Sequence, residues 1–209
     1  MKKISMVLGL GLALLPALAG CGGVKSAKYY ALNLPAAADP PAPDNVRTSI
    51  AVRQFRCPNY LRQGPIVYRP SPEQIGFYEY HRWAADPRQV VTSAIVDTLR
   101  ASGQFATVSI YDGRHDNDYV FTGTIEKLEE VDYESGVKVE VALSAQITRI
   151  STGTTIWANS VSEVENVSER TMPGVVAQMN KATELAIAKL LSTFPAQLAS
   201  SKKTQGAMR

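Results

Sequence analysis

The stretch Val137-Lys138-Val139-Glu140-Val141-Ala142-Leu143-Ser144-Ala145-Gln146-Ile147 decides the fold. Every second residue along it is apolar, and this period of two is typical of a β-strand that buries one face. The run from Tyr119 to Ile125 has the same period, and Ser135-Gly136 supplies the turn between the two runs. After a further turn at Thr152-Gly153, the residues from Thr155 to Val164 predict a third strand. We therefore expect a three-strand antiparallel meander in the second half of the chain.

The rest of the chain predicts two helices and several shorter strands. Asp86-Pro87 places an N-cap residue and a first-turn proline before an apolar stripe that ends at Leu99, and Gly103 follows as a C-terminal cap. A second helix begins at Pro173-Gly174, and Pro195 ends it. The shorter strands are predicted at Tyr29–Leu34, Thr48–Phe55, Ile66–Arg69, Gln74–Trp83 and Phe105–Ile110.

The order of these elements predicts the fold class. Thr48–Phe55, the first helix and Phe105–Ile110 are arranged as in a right-handed parallel crossover, whereas the meander is antiparallel. We expect an α+β fold, with a mixed, mostly antiparallel sheet and two main helices packed on one face.

The amino terminus is typical of a secretory signal. Lys2-Lys3 precedes an uncharged apolar stretch from Met6 to Ala19. The run Leu18-Ala19-Gly20-Cys21 resembles the end of a bacterial lipoprotein signal, which implies cleavage before the cysteine and a lipid on it. A transmembrane helix is one alternative, but the stretch is shorter than the roughly 20 residues that a bilayer requires. An ordinary secretory signal with an incidental cysteine is the other alternative.

This interpretation divides the chain into four segments. Residues 1–20 form the leader that is removed, 21–27 a lipidated tether, 28–197 a single α+β domain and 198–209 a disordered polar tail. Removal of 20 of the 209 residues, including two lysines, leaves 189 residues with 20 basic and 19 acidic side chains. A nearly neutral chain gives no electrostatic reason to expect nucleic acid as a partner.

The sequence contains no motif that predicts catalysis or a metal site. With Cys21 acylated, Cys57 has no disulfide partner and is expected to be a small, partly buried apolar side chain, with a reactive nucleophile as the alternative. His81 and His115 have no companion motif, and the turn Asp112–Asp118 lacks the ligand spacing of a calcium loop. We expect no cofactor other than the covalent lipid on Cys21. An acidic run is expected to line a solvated strand edge: Glu126, Glu129, Glu130, Asp132 and Glu134.

Six aromatic residues fall within 24 positions, on segments broken by proline and glycine: Tyr60, Tyr68, Phe77, Tyr78, Tyr80 and Trp83. Tyrosine and tryptophan bury a large area and retain a polar group, which suits interfaces. Alternation along the strand predicts that Phe77 points to the core while Tyr78 and Tyr80 share the opposite face. Two interpretations stay open, a docking surface or the packing of an irregular flap onto the sheet.

Motifs in this region also carry a family resemblance, and they follow the lipid-attachment signal in order: Tyr29-Tyr30-x-Leu32, Pro58-x-Tyr60-Leu61, Ile66-Val67-Tyr68-Arg69 and Tyr80-x-Arg82-Trp83-Ala84-x-x-Pro87. Together they resemble the ABC-type transport auxiliary lipoproteins. The resemblance implies a non-enzymatic accessory that acts with an MCE-domain protein of the inner membrane and with an ABC permease and ATPase. Such systems move lipids or other hydrophobic molecules between the two membranes. We expect the partner-binding residues to be Tyr60, Tyr68, Tyr78, Tyr80, Arg82 and Trp83.

The resemblance also implies a location and an assembly. It places the protein on the periplasmic face of the outer membrane, and Gly22 agrees, because an aspartate after the lipidated cysteine is the usual inner-membrane signal. A homo-oligomeric ring could receive the end of the MCE assembly. Two other functions stay open, binding of a lipid or small apolar ligand by the domain itself, and a scaffold role in envelope assembly.

Overall fold

The fold is built around one long strand near the middle of the chain. The computed structural model describes residues 25–35, 48–114, 116–134 and 136–194, with Glu134 described by its backbone alone. The leader, Cys21, most of the tether, His115, Ser135, the side chain of Glu134 and the tail lie outside the described residues. Within the described chain there are eight strands, two α-helices and one 3-10 helix at Asn59–Arg62. The strands are β1 (Lys28–Tyr30), β2 (Ser49–Val52), β3 (Pro65–Ser71), β4 (Gln74–Trp83), β5 (Thr107–Ile110), β6 (Tyr119–Glu134), β7 (Gly136–Arg149) and β8 (Thr155–Asn166), and the helices are α1 (Pro87–Ala101) and α2 (Met172–Ser192).

Strand β6 carries two different neighbours on the same edge. Strand β7 pairs with it antiparallel from Tyr119 to Glu134 and so occupies one edge along its length. The other edge is shared, because β2 pairs at residues 119–121 and β3 pairs at residues 130–131, both in parallel. Between them, Arg56 forms a bridge to Thr124 before the 3-10 helix begins. The chain from β2 to β3 therefore runs along β6 as an interrupted strand.

The two ends of β6 consequently support two separate extensions of the sheet. At one end β5 lies parallel beside β2. At the other end β4 lies antiparallel beside β3, and β1 lies parallel beside β4 at the outer edge. The expected meander, crossover and mixed sheet are confirmed: four strand pairs are parallel and three antiparallel, and the longest ladders are antiparallel.

Both helices pack on one face of the sheet, as the pattern predicts. The side chain of Asp86 caps α1 by accepting a hydrogen bond from the backbone N–H of Arg88, and Thr171 caps α2 in the same way from Gly174. The rings of Phe105 and Phe194 meet edge to face at 5.7 Å, joining the two helix ends over a shared apolar core. The opposite side of β6, β7 and β8 has no α-helix over it in the described chain, and we call it the open face.

The first predicted strand is shorter than expected. It ends at Tyr30, although alternation continues to Leu34. The next residues leave the sheet and cross the helix layer, where Leu32 is buried and the N–H of Asn33 donates to Oδ1 of Asn180 in α2 at 3.0 Å. The apolar positions of this segment face the core in both arrangements, so the pattern alone could not locate the end of the strand.

A β-bulge in β6 changes which residues face the core. The register with β7 shifts between Ile125 and Lys127. Before the shift the odd-numbered residues Phe121 and Ile125 face the helices, and after it the even-numbered Leu128 and Glu130 do so, opposite Val141 and Val139. The bulge therefore turns Glu130 toward the core and its neighbour Glu129 toward the open face.

Gly123 is required by the ring of Phe55. A Cβ atom at position 123 would lie 2.2 Å from the ring carbon Cζ of Phe55, which is itself buried and fixed by a hydrogen bond from its N–H to Thr92 Oγ1. We predict that Gly123→Ala lowers the free energy of unfolding by about 1–3 kcal/mol through overpacking. Urea denaturation measures it, and Thr122→Ala, one residue away on the open face, should stay within about 0.5 kcal/mol. Equal effects of the two substitutions would contradict this account.

Candidate docking surfaces

The β3–β4 hairpin is attached to β6 by two consecutive glutamates, one on each face of the sheet. Glu129 is 0% exposed and accepts two hydrogen bonds from Arg69 of β3, at 2.7 Å from Nε and 3.1 Å from Nη2. A third donor of the same guanidinium, Nη1, reaches the carbonyl of Pro72 in the hairpin turn at 2.8 Å. The hydrogen bond to Glu129 raises the pKa of Arg69 further, so the guanidinium stays charged at neutral pH.

The second glutamate holds the other strand of the hairpin. The phenol of Tyr78 in β4 donates to the Glu130 carboxylate and lies 3.0 Å from both of its oxygens. Burial raises the pKa of Glu130, and the hydrogen bond from Tyr78 acts in the opposite direction. Burial and the adjacent carboxylate also raise the pKa of Tyr78, so its hydroxyl stays a donor. The two contacts fix both strands of the hairpin to β6 across long sequence separations.

The acidic run was expected to line a solvated strand edge, and this expectation is wrong. Strand β6 is an interior strand, because β7 covers one edge and β2 and β3 cover the other. Glu129 and Glu130 are both buried and paired, whereas Glu126 and Asp132 are exposed. Two adjacent buried carboxylates were missed because their partners lie 60 and 52 residues away in the sequence.

Several of the residues predicted to bind a partner face inward instead. The ring of Tyr68 lies over Gly76 on the neighbouring strand, where an added Cβ would come within 2.3 Å of it, and it contacts the tilted ring of Tyr78 with the centroids 4.7 Å apart. Trp83 is buried in the core. The guanidinium of Arg82 donates to the carbonyl of Gln63 at 2.9 Å and so closes the turn before β3. These four of the six residues chiefly build the hairpin.

The other two predicted residues lie nearer the surface. Tyr60 is half-buried beside the Arg69–Glu129 pair, and its pKa is raised by burial and then by the charge of Glu129. Tyr80 is 36% exposed. Tyr60 therefore shields the ion pair from water, and Tyr80 is available to a partner.

Phe77 has the opposite orientation to the one expected. It is 38% exposed, while Tyr78 packs against the core. The register of β3 against β4 shifts here, since two steps along β3 from Val67 to Pro65 match five steps along β4 from Phe77 to Arg82. This irregularity breaks simple alternation, which is why the pattern assigned the wrong face.

The sequence interpretation also missed two exposed tyrosines. Tyr29 on β1 is 66% exposed, and Tyr133 near the end of β6 is also exposed. Tyr29 lies in a predicted strand, where alternation favours burial of one face, and Tyr133 lies in the acidic run before the predicted turn. The position of β1 at the outer edge of the sheet exposes Tyr29, and only the topology reveals that position.

The open face is flat and polar. A shallow depression of about 540 Å³ lies on it, and most of its walls are short hydroxyl, amide or methyl side chains from three strands, with Arg56 at its rim. The register places these residues in rows across the sheet, with Thr122 beside Gln146 and Ala158, and Thr124 beside Ser144 and Ser160. Small polar side chains leave the backbone plane accessible, so the open face suits a polar protein surface better than an acyl chain.

The thiol of Cys57 and the imidazole of His81 are the described groups with the most reactive chemistry, and the first is partly buried while the second is hydrogen-bonded. Burial raises the pKa of the Cys57 thiol, so it remains protonated at neutral pH and is a poor nucleophile. Nδ1 of His81 is hydrogen-bonded to the hydroxyl of Tyr30 at 2.9 Å. In the described segments, no three His, Cys, Asp or Glu side chains are grouped so that they could hold a metal ion. None of the helices in those same segments has the length and apolar character needed to cross a membrane.

The fold is a two-layer α+β domain with helices on one face of the sheet and an uncovered sheet on the other in the described residues. Comparison with known families identifies it further: the model of the ABC-type transport auxiliary lipoprotein component matches residues 30–190. The chain belongs to this family, and it is therefore a lipoprotein component associated with a transport system.

Two solved structures share this fold. A Xanthomonas campestris protein of family DUF330, XCC0632, is 19% identical with a TM-score of 0.68, and the alignment covers 79% of this chain and 93% of that one. An uncharacterized protein is 17% identical with a TM-score of 0.60, over 78% and 95% of the two chains. At such identities the likeness shows the fold alone. No curated protein matches the chain.

The Arg69–Glu129 pair should contribute to stability only as an intact pair. We predict that Arg69→Met lowers the free energy of unfolding by about 3–5 kcal/mol, because it leaves a buried carboxylate without a partner. The double variant Arg69→Met/Glu129→Met should recover much of this loss. Urea denaturation measures both, and Lys181→Met, which breaks the exposed ion pair with Glu165, should cost only about 0–1 kcal/mol. A double variant as unstable as the single one would contradict the prediction.

The contact between Tyr78 and Glu130 should make stability depend on pH. The pKa of Glu130 is higher in the folded protein than its ordinary value of 4.5, so the folded state binds the proton more tightly than the unfolded chain. The contribution of Glu130 to stability is therefore full below pH 4.5 and is lost as pH rises through the folded pKa. Tyr78→Phe removes the donor that stabilises the charged carboxylate, so we predict a loss of about 1–3 kcal/mol at pH 8. The loss should shrink at pH 5, where the carboxyl of the variant is more readily protonated. Urea denaturation at both pH values tests this, with the exposed Tyr80→Phe as the control, and a loss independent of pH would contradict it.

Proposed function

We propose that this protein is a non-enzymatic accessory of an ABC/MCE-type transport system, anchored by a lipid on Cys21 to the periplasmic face of the outer membrane. It docks to the assembly of an MCE-domain protein whose permease and ATPase lie in the inner membrane. The system moves lipids or other hydrophobic molecules across the envelope. Membership of the auxiliary lipoprotein family supports the association with transport.

The open face is the observation that carries the docking role. It spans β6, β7 and β8, the three longest of the described strands, and the rows of Thr, Ser, Ala and Gln across it are held in a rigid antiparallel ladder. A rigid, accessible surface of this kind binds a partner without a cost for ordering loops. We assign the docking role to this face because Tyr68, Tyr78 and Trp83 are engaged in contacts within the domain.

The chemistry of the described residues also supports a role in binding rather than catalysis. The thiol of Cys57 is held in its protonated form, and the buried carboxylates Glu129 and Glu130 are engaged in holding the hairpin. Titratable groups with raised pKa values often mark active sites, but here burial is the main cause of the raised pKa values of Cys57 and Glu130. The hydroxyl-lined depression offers little gain for an acyl chain, so a docking role is favoured over a lipid carrier.

The docking role is tested by arginines on the open face. We predict that Gln146→Arg/Ser160→Arg reduces recovery of the MCE-domain protein about tenfold, which corresponds to about 1.4 kcal/mol, because two bulky charges interrupt a flat contact. The measurement is affinity purification from detergent-solubilised envelopes with quantitative mass spectrometry.

The control variant adds the same two positive charges to the helix layer. Ala177→Arg/Ala188→Arg places two arginines at exposed positions of α2 and should leave recovery unchanged. Urea denaturation establishes that both variants are folded. Equal recovery with the two variants would rule out the open face as the docking surface.

A further inference from the structure

Exposed aromatic side chains are concentrated on one outer edge of the sheet. Tyr29, Phe77 and Tyr80 are 66%, 38% and 36% exposed, and all three lie on β1 or β4. The ammonium of Lys25 stands 5.7 Å from the centre of the Tyr80 ring. We call these four residues the edge patch. None of them is used by the two contacts that hold the hairpin, nor by the open face between β6 and β8.

We propose that the edge patch lies on the surface of the bilayer that carries the lipid anchor and fixes how the domain is oriented there. The inference rests on the proposed anchor at Cys21. It adds the part of the folded domain that meets the membrane, which neither the anchor nor the family assignment specifies.

The length of the chain before the patch limits where the bilayer can be. Lys25 is four residues after Cys21, and four extended residues span at most about 14 Å. The chain then enters β1 at Lys28, which pairs with β4 by one edge and has no strand on its other edge in the described chain. A lipid on Cys21 therefore holds this edge of the sheet, and no other edge, close to the headgroups.

The side chains of the patch suit a headgroup layer. Tyrosine places an apolar ring and a hydroxyl where apolar and wet environments meet, and lysine extends its charge from an apolar stem toward phosphate. Lys25 lies by the Tyr80 ring and Lys28 pairs with His81, and both lysines are exposed. Glu79 is the one acidic residue of β1 and β4, so this edge has a positive excess that favours anionic lipids.

Tyr29 is held on the exposed side of β1 because its neighbours pack on the other side. In the register of β1 and β4, Tyr29 lies beside Arg82, whose guanidinium turns away to the carbonyl of Gln63. The neighbouring Tyr30 and Trp83 point to the opposite side and pack on the core. Tyr29 thus projects from a firmly packed strand, which is the arrangement required for a rigid contact with a surface.

Fluorescence quenching of full-length, lipidated protein in vesicles tests the proposal. Tyr29→Trp and Tyr80→Trp each place a reporter in the patch, and Val164→Trp places one on the 55% exposed position of β8, at the opposite edge. Five strand spacings separate β8 from β1, which is about 24 Å. The vesicles contain phosphatidylethanolamine and phosphatidylglycerol with brominated acyl chains, which quench only at short range. The native Trp83 and Trp157 are present in every sample, so the wild-type signal is subtracted.

The expected result is severalfold stronger quenching at positions 29 and 80 than at position 164. Lys25→Glu should weaken the quenching at position 29, whereas Lys181→Glu on α2 should leave it unchanged. Equal quenching at the two edges, or quenching at neither, would overturn the proposal. Flotation of the wild type against Cys21→Ser reports separately on the anchor: a Cys21→Ser protein that still floats contradicts the anchor, whereas an anchored protein with an unquenched patch contradicts the edge patch alone.

Discussion

The structure depends on the sharing of one edge of β6 by two parallel neighbours. A strand of sixteen residues is long enough for β2 to pair at its start and β3 near its end, with the 3-10 helix between them. Strand β5 pairs with β2 at the start of β6. Strands β4 and β1 extend the sheet from β3 near the end of β6. If β6 ended before Glu130, β3 and the strands beyond it would have no strand to pair with.

The second neighbour has only two paired positions, so its attachment needs support from side chains. The ladder between β3 and β6 covers Tyr68 and Arg69 alone, and the adjacent glutamates supply the rest from both faces. Burial of charge is costly, and a paired buried carboxylate is better at specifying an arrangement than at stabilising it. We interpret Glu129 and Glu130 as setting the position of the hairpin, because neither can be satisfied if β3 slips along β6.

The sequence predicts the elements well and the surfaces poorly, for definite physical reasons. Alternation in β7 and the caps Asp86 and Pro87 are local signals, and the meander, the crossover and the layer of helices follow from them. The orientation of Phe77 depends on an irregularity in β4, and the burial of Glu129 depends on Arg69, sixty residues away. The alternation of apolar and polar residues along one strand predicts neither the orientation of Phe77 nor the burial of Glu129. Most members of the aromatic cluster build the hairpin, while Tyr29, the most exposed tyrosine of the described residues, lies outside the cluster.

The segment after β1 has a mechanical consequence. Strand β1 lies parallel to β4, Leu32 is buried directly after it, and Asn33 is hydrogen-bonded to α2. A force applied at Lys25 along the strand direction therefore loads the hydrogen bonds between β1 and β4 together, in shear, instead of opening them one at a time. Beyond them, the load passes to the helix layer through Leu32. The amino-terminal end of the described domain is thus arranged to resist extension by a force applied at Lys25.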